Sequence, residues 1–271
     1  MMRGPSRASL AAAREQLMAA LADPSGAAAL GDELFAVAHL LDQEPGLRRA
    51  LTDATSPVAA REGLVSQLLD GRVAGGTLDL MAGMVRNHWA AGRDLADAAE
   101  QLGVLATAAA AESEGQLDDL EDELFRFGRI VSTAPDLRSA LSDPKLPADG
   151  KRGLLDTLLA GKVTPAALRL ITQAAVYPRG RSLDATLDDY ARLAAAWRQR
   201  LIAVVRVAGG LDEDQRARLA AALSHTYDRE IHLNVLIDPE VVGGMSIQIG
   251  DEFLDGSMAS RLAQLRQRLA S

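Results

Sequence analysis

The 271-residue chain contains no cysteine, and phenylalanine, tryptophan and tyrosine together make up only 3% of it. The first absence excludes disulfides, thiolate zinc sites and a cysteine nucleophile. The second leaves alanine and leucine to build the core, which points to aliphatic helices. An excess of basic charge is also missing: the formal net charge is -8, which argues against nucleic-acid binding through overall electrostatics. No apolar run approaches the roughly 20 residues of a membrane span, and the N-terminus lacks the apolar stretch of a signal peptide. The chain is therefore expected to be cytosolic, or bound to a membrane machine through partners without direct insertion. Hydrophobic residues at 48% and charged residues at 24% are ordinary for a globular protein. The length allows one large domain or two to three small ones.

What is present most clearly is a repeat. A helix over residues 6–21 is stopped by Asp23-Pro24-Ser25-Gly26, and a second runs over 28–41 with Leu30, Leu34, Val37 and Leu41 in one stripe. From there residues 33–80 align without a gap with 123–170, at an offset of 90 and with 18 identities in 48 positions. Glu33-Leu34-Phe35 recurs as Glu123-Leu124-Phe125, Pro45 as Pro135, Pro57 as Pro147 and Gly71 as Gly161. Two long copies are not a solenoid. Each is large enough for a small helical bundle with its own core, and Thr107–Gly115 reads as a stiff, mostly helical join broken at Glu114-Gly115. In the second copy Leu117, Leu120, Leu124, Phe127 and Val131 follow a helical period. Thr164-Pro165 has the form of an N-cap with proline at the first helical position. Ser182 is placed to cap the last helix.

The texture changes after Arg200. Leu201, Ala203, Val205 and Val207 alternate with Ile202, Val204 and Arg206 as in a strand, and Asp212 with Gln215 forms a capping box opening a helix. Ile231, Leu233, Val235 and Ile237 alternate again. Met245, Ile247 and Ile249 form a third strand, Gly250-Asp251 supplies a tight turn and Phe253-Leu254 returns. Asp255 or Ser257 caps a closing helix whose apolar positions Met258, Leu262, Leu265 and Leu269 fall on one stripe. The fold class expected is mainly α: two tandem helical bundles, 1–111 and 112–200, followed by a small mixed α/β domain at 201–271.

No catalytic constellation rises above this background. Asp251, Glu252 and Asp255 suggest a divalent cation, but a turn and a helix cap need the same residue types, and no further ligand is near in sequence. Gly243-Gly244 lacks the lysine and the directly following helix of a phosphate loop. Ser257 in Asp-Gly-Ser-Met lacks the nucleophile-elbow pattern. The four histidines, His39, His88, His225 and His232, share no ligand spacing. Arg261, Arg266 and Arg268 suit the C-terminal half of a helix. No cofactor and no metal are called for. The repeat alone permits a helical scaffold or regulatory adaptor built from duplicated bundles.

The order of residues in the last 40 positions carries a resemblance. Asn234, Asp238-Pro239, Gly243-Gly244, Gly250-Asp251, Asp255-Gly256-Ser257, Arg261-Leu262 and Leu265 resemble the C-terminal signature of the delta-subunit family of F-type ATP synthases. These are the bacterial counterparts of the oligomycin-sensitivity-conferring protein. The family's opening helix commonly reads Tyr-Ala-x-Ala-Leu, and here only Leu34-Phe35 and Leu124-Phe125 are similar. Longer bacterial members are similar in carrying an additional helical copy in front. The resemblance implies a non-catalytic peripheral-stalk subunit at the cytoplasmic face of the membrane, with the scaffold or adaptor as the alternative. Its helical part would grip the alpha subunits of the catalytic head, the second copy being favoured for this, and its C-terminal domain would hold the b subunit.

Overall fold

The computed structural model describes residues 4–198, 201–227, 231–238, 244–249 and 252–255. The chain is mainly helical and divides into two compact units, Met1–Arg198 and Gln199–Ser271.

The first unit runs α1 (Gly4–Ala20), a 3-10 turn (Pro24–Gly26), α2 (Ala27–Gln43), α3 (Pro45–Thr52), α4 (Val58–Leu69), α5 (Gly75–Arg86) and α6 (Gly92–Ser113). It continues with α7 (Leu117–Thr133), α8 (Pro135–Ser142), α9 (Ala148–Leu159), α10 (Pro165–Val176) and α11 (Leu183–Arg198). Helices α2 to α5 return as α7 to α10 with both ends displaced by 90 residues. Local chemistry recurs with them. Pro45 and Pro135 each stand at the first position of a short helix, where a missing N–H costs nothing. The residues before them share one extended conformation, φ -112, ψ 81 at Glu44 and φ -115, ψ 86 at Ala134. Gly71 and Gly161 take left-handed φ values of 69 and 70 in the turns after α4 and α9, where a β-carbon would be strained. The Glu33 carboxylate accepts from the Ala74 N–H at 3.0 Å, and that of Glu123 accepts from the Thr164 N–H at 2.9 Å. Buried Arg61 donates to the Val85 carbonyl at 2.6 Å and buried Lys151 to the Ala175 carbonyl at 3.3 Å. Each places a cation on the last turn of the following helix, the end that favours one.

Shifting α1, Gly4–Ala20, by the same 90 residues lands on 94–110, inside α6. Helix α6 contacts α1, α2 and α3 of the first set and α7, α10 and α11 of the second. It is the sixth helix of the first set and the first of the second. That double duty explains its composition: Leu95, Ala96, Ala98, Ala99, Leu102, Val104 and Ala106 through Ala111 are all buried, the pattern of a helix surrounded by protein. Thr107–Ala111, expected to join two bundles, instead belongs to the interior. One hydrophobic core runs from Leu10 to Trp197, so the two copies share a core where separate ones were expected. Helices α2 and α6 pack closely where they cross: a β-carbon on Gly31 would meet the Thr107 hydroxyl at 2.9 Å, and one on Gly103 would meet the Phe35 ring at 2.9 Å.

The second unit contains β1 (Leu201–Val207), α12 (Glu213–Tyr227), β2 (Ile231–Ile237), β3 (Met245–Ile249) and β4 (Glu252–Asp255). Its sheet has the order β2-β1-β3-β4, with β1 and β2 parallel and the other pairs antiparallel. The parallel pair needs a crossover, which α12 supplies. The capping box at its start is reciprocal: Gln215 N–H donates to the Asp212 carboxylate at 2.7 Å, and Asp212 N–H to the Gln215 side-chain oxygen at 3.0 Å. Val205, Val207, Leu223, Ile231 and Ile247 form a small core, with Leu219 and Tyr227 packed against it.

Candidate partner-binding surfaces

The sequence signature falls in the second unit, and only part of it is described. Asn234 lies on β2 with its Cα opposite Val204. Asp238 follows that strand, and its N–H donates to the Val207 carbonyl at 2.8 Å, extending the parallel ladder by one bond. Gly244 holds φ 80 at the entry to β3, a left-handed conformation suited to glycine and one reason for a glycine pair there. Asp255 ends β4 with its Cα opposite Ser246. Pro239, Gly243, Gly250, Asp251, Gly256, Ser257, Arg261, Leu262 and Leu265, with the closing helix, lie outside the described residues. Among the described residues no cluster of three or more His, Asp or Glu could hold a metal ion, and no helix is long and apolar enough to cross a membrane.

The first unit contains an ion-pair network that sequence reading missed. Arg179, in the loop between α10 and α11, adopts a left-handed φ of 52. Its side chain is only 3% exposed and lies against the first set of helices. It donates to Glu100 at 2.7 Å and to Asp97 at 2.7 Å, both on α6, and pairs with Asp42 of α2 at 3.5 Å. Glu100, also 3% exposed, accepts further from Arg181 and from the Tyr190 hydroxyl, the latter at 2.6 Å. Burial pulls the Arg179 guanidinium toward deprotonation, but Glu100, Asp97 and Asp42 together hold its pKa above the usual arginine value. Burial raises the Asp97 carboxyl against the pull of Arg179 and Arg93. Burial, then the Glu100 charge, pushes the Tyr190 phenol well up. Nothing in the local sequence marks Arg179. Its counterpart 90 residues earlier is Trp89, which is buried and donates to the Met84 carbonyl at 2.8 Å within its own set.

Beside the network an open cleft of about 610 Å³ separates α2 from α10, lined by Phe35 and His39 on one side and Leu168 and Arg169 on the other. Arg169 pairs with Asp32 across it at 2.6 Å. The His39 ring packs on Tyr177 with centroids 4.1 Å apart, and Arg152 sits over the same tyrosine at 5.8 Å. Burial depresses the His39 pKa; Asp42 opposes this, while Arg152 and Arg179 add to it. The neutral imidazole is the form that folding favours. Its contribution is complete above the unfolded value near 6.5 and is lost as pH falls through that value toward the folded one. Wild-type melting temperature is therefore expected to drop more between pH 7.5 and 5.5 than that of His39→Gln. Parallel curves for the two proteins would remove His39 from the pH dependence.

The chain is a mainly helical protein, with duplicated helices around one core in its first unit and a small four-stranded sheet in its second. The sequence pattern described as "ATP synthase delta (OSCP) subunit" matches residues 104–269. The match opens inside α6 and takes in α7 to α11 and the second unit. Proteins named ATP synthase subunit delta are similar over their full length. That of Streptomyces avermitilis is 48% identical, covering 99% of this chain and 98% of the relative. That of Thermobifida fusca is 47% identical over 99% and 100%, and that of Acidothermus cellulolyticus 45% identical over the whole of both. The chain belongs to the ATP synthase delta (OSCP) subunit family. These relatives match the first helical set as well as the second, so the extra set is not peculiar to this chain.

Proposed function

We propose that this chain is a non-catalytic stator subunit in the peripheral stalk of a rotary, proton-translocating F-type ATP synthase. It links the catalytic head to the membrane-anchored b subunit and so couples proton flow to ATP synthesis. The observation that carries this reading is the family match over 104–269 together with full-length similarity to delta subunits. In this reading the protein is peripheral, on the cytoplasmic face of the membrane. The repeat halves, 1–111 and 112–200, form the head-binding part as tandem bundles sharing α6, and the second half contacts the alpha subunits. Residues 201–271 form a mixed α/β domain, and their signature positions, from Asn234 to Leu265, support the joint with the b subunit.

The mechanism is mechanical. Each proton crossing 100 mV releases about 2.3 kcal/mol. Several are pooled for each ATP, so a joint in the stalk must resist loads on the order of 10 kcal/mol, which corresponds to a Kd of roughly tens of nanomolar. A close-packed aliphatic interior suits such a part, because it transmits strain with little yielding. An affinity-tagged copy purified from detergent-solubilised membranes is expected to bring down both the alpha and b subunits. Recovery of the intact chain with neither would overturn the assignment.

A further inference from the structure

The cleft between α2 and α10 is spanned at two places. Arg169 of α10 meets Asp32 of α2 at 2.6 Å, and the His39 ring of α2 stacks on Tyr177, which caps α10. Asp32 and His39 stand seven residues apart on one helix, about 10 Å along its axis. The space between these bridges suits a small molecule, since a chain segment laid along the cleft would break both. The cleft volume of about 610 Å³ is within the roughly 300–1,000 Å³ of small-molecule sites. Phe35, Ala36 and Leu168 give it apolar walls.

Its polar groups are not used up by the fold. Gln173 lines the cleft and is only 8% exposed, yet among the described residues its side-chain amide has no hydrogen-bond partner. The amide is not sealed from solvent either, so it opens on the cleft. The Thr172 hydroxyl beside it is also without a partner among the described residues. Arg169 uses only Nε on Asp32, which leaves both terminal nitrogens for a ligand. Arg152, held over the Tyr177 ring, is the second guanidinium in the lining, and Asp32 is the single carboxylate there. The duplication shows that the helical scaffold does not require these side chains. Ninety residues earlier, Arg152, Arg169, Thr172, Gln173 and Tyr177 are Glu62, Asp79, Ala82, Gly83 and Asn87. Both charges are reversed, in helices of the same length.

We propose that this cleft binds a small organic anion, with a phosphate or carboxylate head on Arg152 and Arg169 and a flat body between the Phe35 wall and Gln173. Guanidinium groups recognise such heads through paired, charge-assisted hydrogen bonds. The Gln173 amide and the Thr172 hydroxyl each offer a donor and an acceptor, so the edge of the body carries both kinds of group.

Binding is measured by calorimetry on the full chain with adenosine 5′-monophosphate, whose head is a phosphate, and indole-3-acetate, whose head is a carboxylate. At least one of the two is expected to bind at a single site and to raise the melting temperature. The tighter of the two identifies the head. The matching uncharged bodies, adenosine and indole, are expected to bind at least tenfold more weakly. Arg152→Met and Gln173→Leu are each expected to weaken the bound anion at least tenfold. Gln173→Leu is also expected to melt no lower than wild type, because it replaces an unpartnered amide by an apolar group of similar size. A lower melting temperature for Gln173→Leu would show that the fold holds the amide, and would overturn the proposal. So would a lack of saturable binding by both anions, or binding that neither substitution weakens. None of these outcomes bears on the peripheral-stalk reading.

Discussion

Replacing Arg179 by methionine is expected to destabilise the helical unit by about 3–5 kcal/mol, the range for removing one partner of a buried ion pair. The cost comes from what is left behind. Glu100 is as buried as the arginine and would be left with Arg181 alone, while Asp97 and Asp42 would keep only the longer pairs with Arg93 at 3.9 Å and Arg48 at 3.8 Å. Arg179 also holds a left-handed backbone that costs a non-glycine residue about 1–3 kcal/mol and persists only where surrounding contacts impose it. Its side-chain bonds to α2 and α6 are those contacts. Adding Glu100→Gln to Arg179→Met removes the stranded charge and is expected to recover about 1 kcal/mol or more, the coupling typical of residues in one network. Urea titration of the wild type, both single variants and the double variant gives the cycle. A loss below about 0.5 kcal/mol for Arg179→Met would show that the network contributes nothing to holding the two sets together.

This network marks the limit of what the sequence discloses. The repeat at an offset of 90 was legible because proline, glycine and leucine carry position-specific constraints. Pro45 and Pro135 start helices, Gly71 and Gly161 need left-handed φ, and the leucine stripes set the buried faces. The caps at Thr164, Ser182 and Asp212 were legible for the same reason, since each depends on residues three apart. The repetition of α1 within α6 was not. At that offset the two share only Ala8/Ala98, Ala19/Ala109 and Ala20/Ala110, and alanine matches carry little information in an alanine-rich chain. The shared core follows from that hidden sixth helix, so separate cores were expected where one exists. Arg179 could not be singled out either, because its partners are 79 or more residues away and its counterpart is a tryptophan. In the sheet unit, alternation disclosed the first three strands and the turn residues the fourth, while the parallel pairing of β1 with β2 depends on where α12 returns the chain.

Deleting residues from Ile202 onward is expected to leave a folded helical unit that still binds the catalytic head and no longer holds the b subunit. The helical unit has its own core, which closes at Trp197 just before the break in composition, and the sheet unit has a separate one. Cooperative unfolding of the truncated chain, with the helical circular-dichroism signal of the full protein, checks the first half of this expectation. The second half concerns coupling. Hydrolysis by the head needs no stator, so ATPase activity is expected to persist in membranes carrying the truncated chain. Proton pumping and ATP synthesis are expected to fall together, because torque then turns the head instead of driving catalysis. A joint resisting loads on the order of 10 kcal/mol has no gradual substitute among single surface ion pairs, each worth about 0–1 kcal/mol. Residual coupling therefore requires a second contact of comparable area, and the first set of helices, 1–111, is the part of the chain with surface to provide one. Hydrolysis and pumping are measured in the same inverted vesicles, with the truncated chain as the only copy present. Undiminished pumping per ATP hydrolysed would rule out the stator role for the sheet unit, whatever the head-binding result.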